Sequence, residues 1–163
     1  MLTESARLVE QAKIVQGLTP ITPSSATPDY VSMKGYKKLT AIISVNNATT
    51  VTGSAITLKQ AKTVAGGSEK ALAFAKMHAN ADISSSDALT ETAVTSDTFT
   101  TLTTNNADAM YVVEVDAADL DVANGFDCVR VGAGDAANTV LSVVYILWPA
   151  RYGKATPASA IVD

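Results

Sequence analysis

The apolar positions of this chain change period once, near residue 30. Before it the spacing is helical. Leu8, Val9, Ala12 and Val15 share one face at i, i+1, i+4 and i+7, with Glu10, Gln11, Lys13 and Gln16 mostly elsewhere. Thr3 stands where an N-cap belongs, Glu4 in the first turn, and Gly17 where a helix stops. So short a helix needs a surface for its stripe, either its own domain or a neighbouring subunit. Residues 18–29 (LTPITPSSATPD) follow, and Pro20, Pro23 and Pro28 favour extended, polyproline-like backbone there.

Beyond Tyr30 the period falls to two. Leu39, Ala41, Ile43 and Val45 alternate with Thr40, Ile42, Ser44 and Asn46, and Asn46-Asn47 predicts a turn. Further strands are predicted over residues 55–64, 72–78, 89–94, 98–103, 110–115, 126–131 and 139–148, although Ala, Leu and Lys also give 72–78 a helical propensity. Gly66-Gly67-Ser68 and Ser96-Asp97 are predicted as turns, and residues 117–120 as one helical turn. Residues 132–138, which begin Gly132-Ala133-Gly134, join the last two strands. Eight or nine short strands without βαβ alternation imply a mainly β fold. The expected form is an antiparallel β-sandwich or barrel, jelly-roll-like, with a short N-terminal helix and an extended arm. The organisation reads as a helix and Pro-rich arm over 1–29, a body over 30–150 and a tail over 151–163.

Charge narrows the partners. Only 17% of the 163 residues are charged and the net charge is −4. The basic residues are scattered apart from Lys34, Lys37 and Lys38, so no phosphate-neutralising surface is expected and no nucleic-acid partner. The longest apolar run, residues 143–148, is too short to span a bilayer, and charges in the first eighteen residues break any signal-peptide core. A lone cysteine, Cys128, rules out an intrachain disulfide and fits synthesis in a reducing cytoplasm.

The inventory for chemistry is thin. His78 is the only histidine, so zinc sites with two histidines are excluded. Cys128 lies in an apolar run, where a buried, inert thiol is expected; a Cys128–His78 nucleophile pair lacks any surrounding signature. Gly132-Ala133-Gly134 precedes a strand rather than a helix, so it makes no dinucleotide cradle. Asp116, Asp119, Asp121, Asn124 and Asp127 have the composition of a cation site but not EF-hand spacing, and read as a solvated loop. Among the aromatics, Tyr30, Tyr36, Trp148 and Tyr152 flank strands and are candidate interface anchors. No catalytic, cofactor-binding or metal-binding residue is assigned, and no enzyme activity is expected.

Three stretches carry a resemblance: PDYVSMKGYKKL followed by TAIISV, then VVEVDAADLDVANGFDCVRVGAG, and the ending VLSVVYILWPARYGKATPASAIVD. Together they resemble small structural proteins of tailed-bacteriophage virions, some of which are head decoration, or cement, proteins. The resemblance covers most of the chain from Arg7 onward. It implies a non-enzymatic protein on the capsid surface, bound to the major capsid protein, and assembled as a homo-oligomer, a trimer ahead of a dimer. In that role residues 1–29 would lie on the capsid or clasp a neighbouring copy, separable from a body that folds without them. The competing expectation is a carbohydrate-binding or host-adsorption β module, which requires exposed aromatics. A Cys-dependent hydrolase ranks third.

Overall fold

The computed structural model describes residues 7–150 and 159–161. Among them a single helical turn, α1 (Leu8–Gln11), precedes eleven strands. These are β1 (Lys13–Ile21), β2 (Val31–Ser32), β3 (Tyr36–Asn47), β4 (Ala55–Ala61), β5 (Lys70–Ala71), β6 (Lys76–Asn80), β7 (Thr90–Ala93), β8 (Thr98–Thr100), β9 (Asp108–Asp116), β10 (Cys128–Ala133) and β11 (Thr139–Ala150). They build two antiparallel sheets that pack on each other, ordered β1-β11-β3-β9-β6-β7 and β2-β10-β4-β5, with β8 also paired to β4. The chain is thus mainly β and sandwich-like, with one short N-terminal helix.

Strict alternation dictates this packing. In β3 the side chains of Leu39, Ala41, Ile43 and Val45 are buried, and the same parity is buried in β9 (Ala109, Tyr111, Val113, Val115) and β11 (Leu141, Val143, Tyr145, Leu147). Ile56, Leu58, Val129 and Val131 answer from the second sheet and complete one continuous core. Each fully buried aliphatic side chain there contributes about 1.5–3 kcal/mol relative to exposure. β3 and β11 are the spine, paired from Tyr36↔Ala150 to Asn47↔Thr139.

The N-terminal segment departs from the expected helix. Helical geometry ends at Ala12, whose backbone is extended (φ −133°, ψ 149°). β1 then pairs with β11 from Lys13↔Leu147 to Ile21↔Leu141, with register shifts on both sides of Leu18. Gly17 does not stop a helix; it sits in this strand because a Cβ there would overlap the ring of Tyr145. Pro20 is tolerated because β1 is an edge strand, where a missing N–H leaves no ladder bond unmade. The stretch read as polyproline-like therefore begins as sheet, and a 3-10 turn at Pro23–Ser25 follows it. Thr3 and Glu4 lie outside the described residues.

Other boundaries move for local reasons. Asn46-Asn47 ends β3 instead of forming the turn. Asn47 is buried, its Nδ2 donates to Leu102 O (3.0 Å) and Thr104 O (3.3 Å), and its Oδ1 accepts from Thr139 Oγ1 (3.0 Å). The run 72–78 is not one strand: β5 belongs to one sheet and β6 to the other. Leu72 and Phe74, in the crossing between them, both turn to the core. Residues 117–120 form a turn closed by Asp119 N–H donating to Asp116 O (3.0 Å), and the short helical segment comes later, at Val122–Asn124. The turns at Gly66-Gly67-Ser68 and Ser96-Asp97 are present, Gly66 and Ser68 at positive φ. From the C-terminal stretch, Ala160 is fully buried and its carbonyl accepts from Ser32 N–H of β2 (2.7 Å).

Candidate interaction face

Side chains of the second parity in the six-stranded sheet point away from the core. On an antiparallel sheet with one wet face they are ordinarily polar. Here the middle of the face is apolar. Ile42 pairs with Val144 on one side and Val112 on the other, so the three stand in one cross-strand row, flanked by Gln16 and His78. In the next row Ile146 pairs with Ile14, which is 42% exposed. In the row beyond, Trp148 faces out beside Lys38, its Nε1 donating to Thr40 Oγ1 (3.2 Å). In the opposite direction the side chains shrink to Ser142 and Ser44. These floor a shallow hollow of about 200 Å³ walled by Pro20, Ile83 and Val140. Ile42, Val112, Val144, Ile146 and Trp148 are each half-buried, so together they make a low apolar patch, a kind of surface that is common in interfaces.

Toward β6 the face becomes charged and opens into a groove of about 620 Å³ lined by Lys38, Phe74, His78, Glu114, Asp116 and Asp119 among others. Its ions are largely matched inside the chain. Lys38 lies 3.5 Å from Glu114 and 3.8 Å from Asp116, and Lys76 lies 2.8 Å from Glu91. His78 Nε2 is 3.7 Å from the same Glu91 carboxylate. With acids and bases interleaved, the groove presents no field of one sign and so no means of steering a strongly charged ligand.

A second polar cluster lies on the other sheet. Glu69 accepts from Lys59 Nζ, from Tyr30 OH (2.8 Å) and from Arg130 Nη2 (3.0 Å), while the Arg130 guanidinium lies 4.9 Å from the centre of the Tyr30 ring. The bonds from Lys59 and Tyr30 hold the Glu69 carboxyl below the usual carboxylate range. Burial, aided by the bond to Glu69, pushes the Tyr30 hydroxyl up to about 12. A carboxyl whose pKa is lowered by folding stabilises the fold above its unfolded value, and that contribution is lost as pH falls through the folded value. Glu69→Gln is therefore expected to lower the melting temperature at pH 7, and by progressively less as the pH falls through the folded value of the carboxyl. The difference at pH 7 should be only about 2 °C, because these groups are well solvated. A melting difference independent of pH would contradict the assignment.

Compared with protein-family models, with curated proteins and with solved structures, the chain matches none. Its site is therefore read from its own residues.

The sequence candidates are dispersed. Cys128 is fully buried in β10, its Sγ donating to Asp127 Oδ1 (3.2 Å), while His78 stands on the outer face of the opposite sheet, so the two form no pair. The acidic stretch is divided among separate bonds. Asp119 Oδ2 accepts from Asp116 N–H (3.2 Å), and Asp121 is bound by Lys70 and by Asn124 Nδ2. Among the described residues no three His, Cys, Asp or Glu side chains gather as a metal site. Tyr30 and Tyr36, two of the four candidate anchors, are buried (5% and 0% exposed); Trp148 is on the outer face, and Tyr152 lies outside the described residues.

Proposed function

We propose that this chain is a non-enzymatic structural component of a tailed-phage virion, a decoration protein that binds the head shell and stabilises it. The observation that supports the reading is the rigid two-sheet body on the spine strands β3 and β11, with an apolar-centred face through which copies can assemble. A cement protein needs a rigid body, a surface through which copies assemble and no reactive centre, and multivalent attachment makes modest individual contacts sufficient. The resemblance of three stretches to small virion proteins supplies the class of partner, a major capsid protein.

The carbohydrate-binding alternative draws less support. Stacking on sugars needs aromatic rings presented together, whereas Phe74, Phe99 and Tyr111 form a ring cluster in and against the core, with Phe99 to Phe74 at 6.2 Å and to Tyr111 at 5.2 Å.

Co-sedimentation with empty heads that lack the protein tests the proposal. The phage whose genome carries the chain supplies them. Saturable binding that raises the melting temperature of the heads is expected. A chain that stays in the supernatant at micromolar concentration, or that binds without stabilising the heads, would overturn it.

A further inference from the structure

The outer face of the six-stranded sheet has a raised apolar end and a hollow end, on either side of the Val144–Ile42–Val112 row. We propose that this face closes on the same face of a second copy, about a two-fold axis that lies in the interface, crosses the strands and passes over Val144 and Ile42. The inference rests on the reading of the chain as an assembly component.

Such an axis reverses the strand direction and leaves the cross-strand order unchanged, so the register within one copy fixes what meets what between two. Val144 and Ile42 each meet their own counterparts. Ile146, two residues from the axis on β11, comes over Ser142 of the second copy, two residues away on the other side, and fills the hollow there. Lys38 comes over Asn46, whose Nδ2 donates to Asp108. Lys38 then stands between Asp116 of its own copy, 3.8 Å away, and Asp108 of the second. Ile146 meets Ser142, and Trp148 lies over the exposed Val140 as an apolar contact. Lys38 stands between the two aspartates that the axis brings together, Asp116 and Asp108, and each contact is made twice, as an isologous interface requires.

Area agrees. Five strands about 4.8 Å apart and eight residues at about 3.4 Å each give a face of roughly 19 Å by 27 Å. Two such faces bury about 1,000 Å², the level at which a specific protein interface begins. A three-fold ring would need two different complementary patches. This face complements itself, which favours a dimer over the trimer that the sequence suggested first.

Light scattering of the full chain at micromolar concentration is expected to report twice the chain mass. Val144→Asp sets two carboxylates against each other at the axis and is expected to give a folded monomer, judged by an unchanged circular-dichroism spectrum. A second pair of variants removes any doubt about folding. Lys38→Glu is expected to weaken the dimer severalfold, and adding Asp108→Lys is expected to restore it. Lys38 and Asp108 lie at opposite ends of the face within one copy, so rescue requires contact between copies. A wild-type monomer or trimer, a dimer indifferent to Val144→Asp, or a Lys38→Glu defect that Asp108→Lys does not repair would overturn the pairing. Head binding separates this inference from the one beneath it. A monomeric chain that binds heads refutes the pairing alone, and a dimer that never binds heads refutes the virion role alone.

Discussion

Replacing Tyr145 with alanine is expected to cost the fold about 4–5 kcal/mol, and replacing it with phenylalanine about 1–3 kcal/mol. Tyr145 belongs to β11 of the six-stranded sheet, yet its hydroxyl accepts from the Val131 N–H of β10 in the other (2.8 Å) and donates to Asp29 O (3.4 Å). β2 pairs only with Cys128 and Val129, so the Val131 N–H lies past its end and takes the tyrosine oxygen as partner. Phenylalanine keeps the ring and orphans that buried N–H. Alanine also leaves a ring-sized cavity beneath Gly17. Burial pushes the Tyr145 hydroxyl well above the ordinary tyrosine range, so it keeps the proton that it donates to Asp29 O. Thermal melts of the two variants check this. Drops of roughly 10–20 °C for alanine and about 3–10 °C for phenylalanine are expected. A phenylalanine variant that melts like the wild type would mean that the hydroxyl contributes nothing.

Removing residues 1–21 is expected to leave a chain that no longer unfolds cooperatively, or that melts at least about 10 °C lower. The loss takes away β1, with buried Leu18 and with Val15 and Ile21 packed against the core. At about 1.5–3 kcal/mol for a fully buried side chain and less for the two partly buried ones, this is roughly 4–6 kcal/mol. A domain holds only about 5–15 kcal/mol in total. It also uncovers the edge of β11 between Leu141 and Leu147, an apolar strand of the kind that pairs with other chains and aggregates. Static light scattering during the melt would detect that second effect. A truncated chain with an unchanged melting temperature would show that β1 is a dispensable arm, as the sequence suggested.

The misreading of β1 has a physical source. Alternation identifies a strand only when its two faces differ in polarity, and on β1 they do not. Val15 packs against the core, but Ile14 on the outer face is apolar too, and the irregularity around Gly17 then shifts the parity. What remains in the sequence is a cluster of apolar residues that also fits a helical stripe. β3, β9, β10 and β11 were legible because their inward residues run in unbroken alternation under β-branched composition. The same property that hid β1 was the signal for the face: Ile42, Val112, Val144 and Ile146 break the polar parity of otherwise ordinary strands. The Tyr30–Glu69–Arg130 cluster had no such signal, since its members are 39 and 61 residues apart in the chain.

β11 lies between β1 and β3, yet it is synthesised after both. The emerging chain must therefore hold two of its longest strands apart, with an open slot between them, until β11 itself has been translated. Neither strand can close on the other without excluding the one that belongs in the gap. Completion of the six-stranded sheet thus waits for β11, and the non-local pairings that complete it place it among slow folders. Chaperone demand should accordingly peak while that slot is still unfilled.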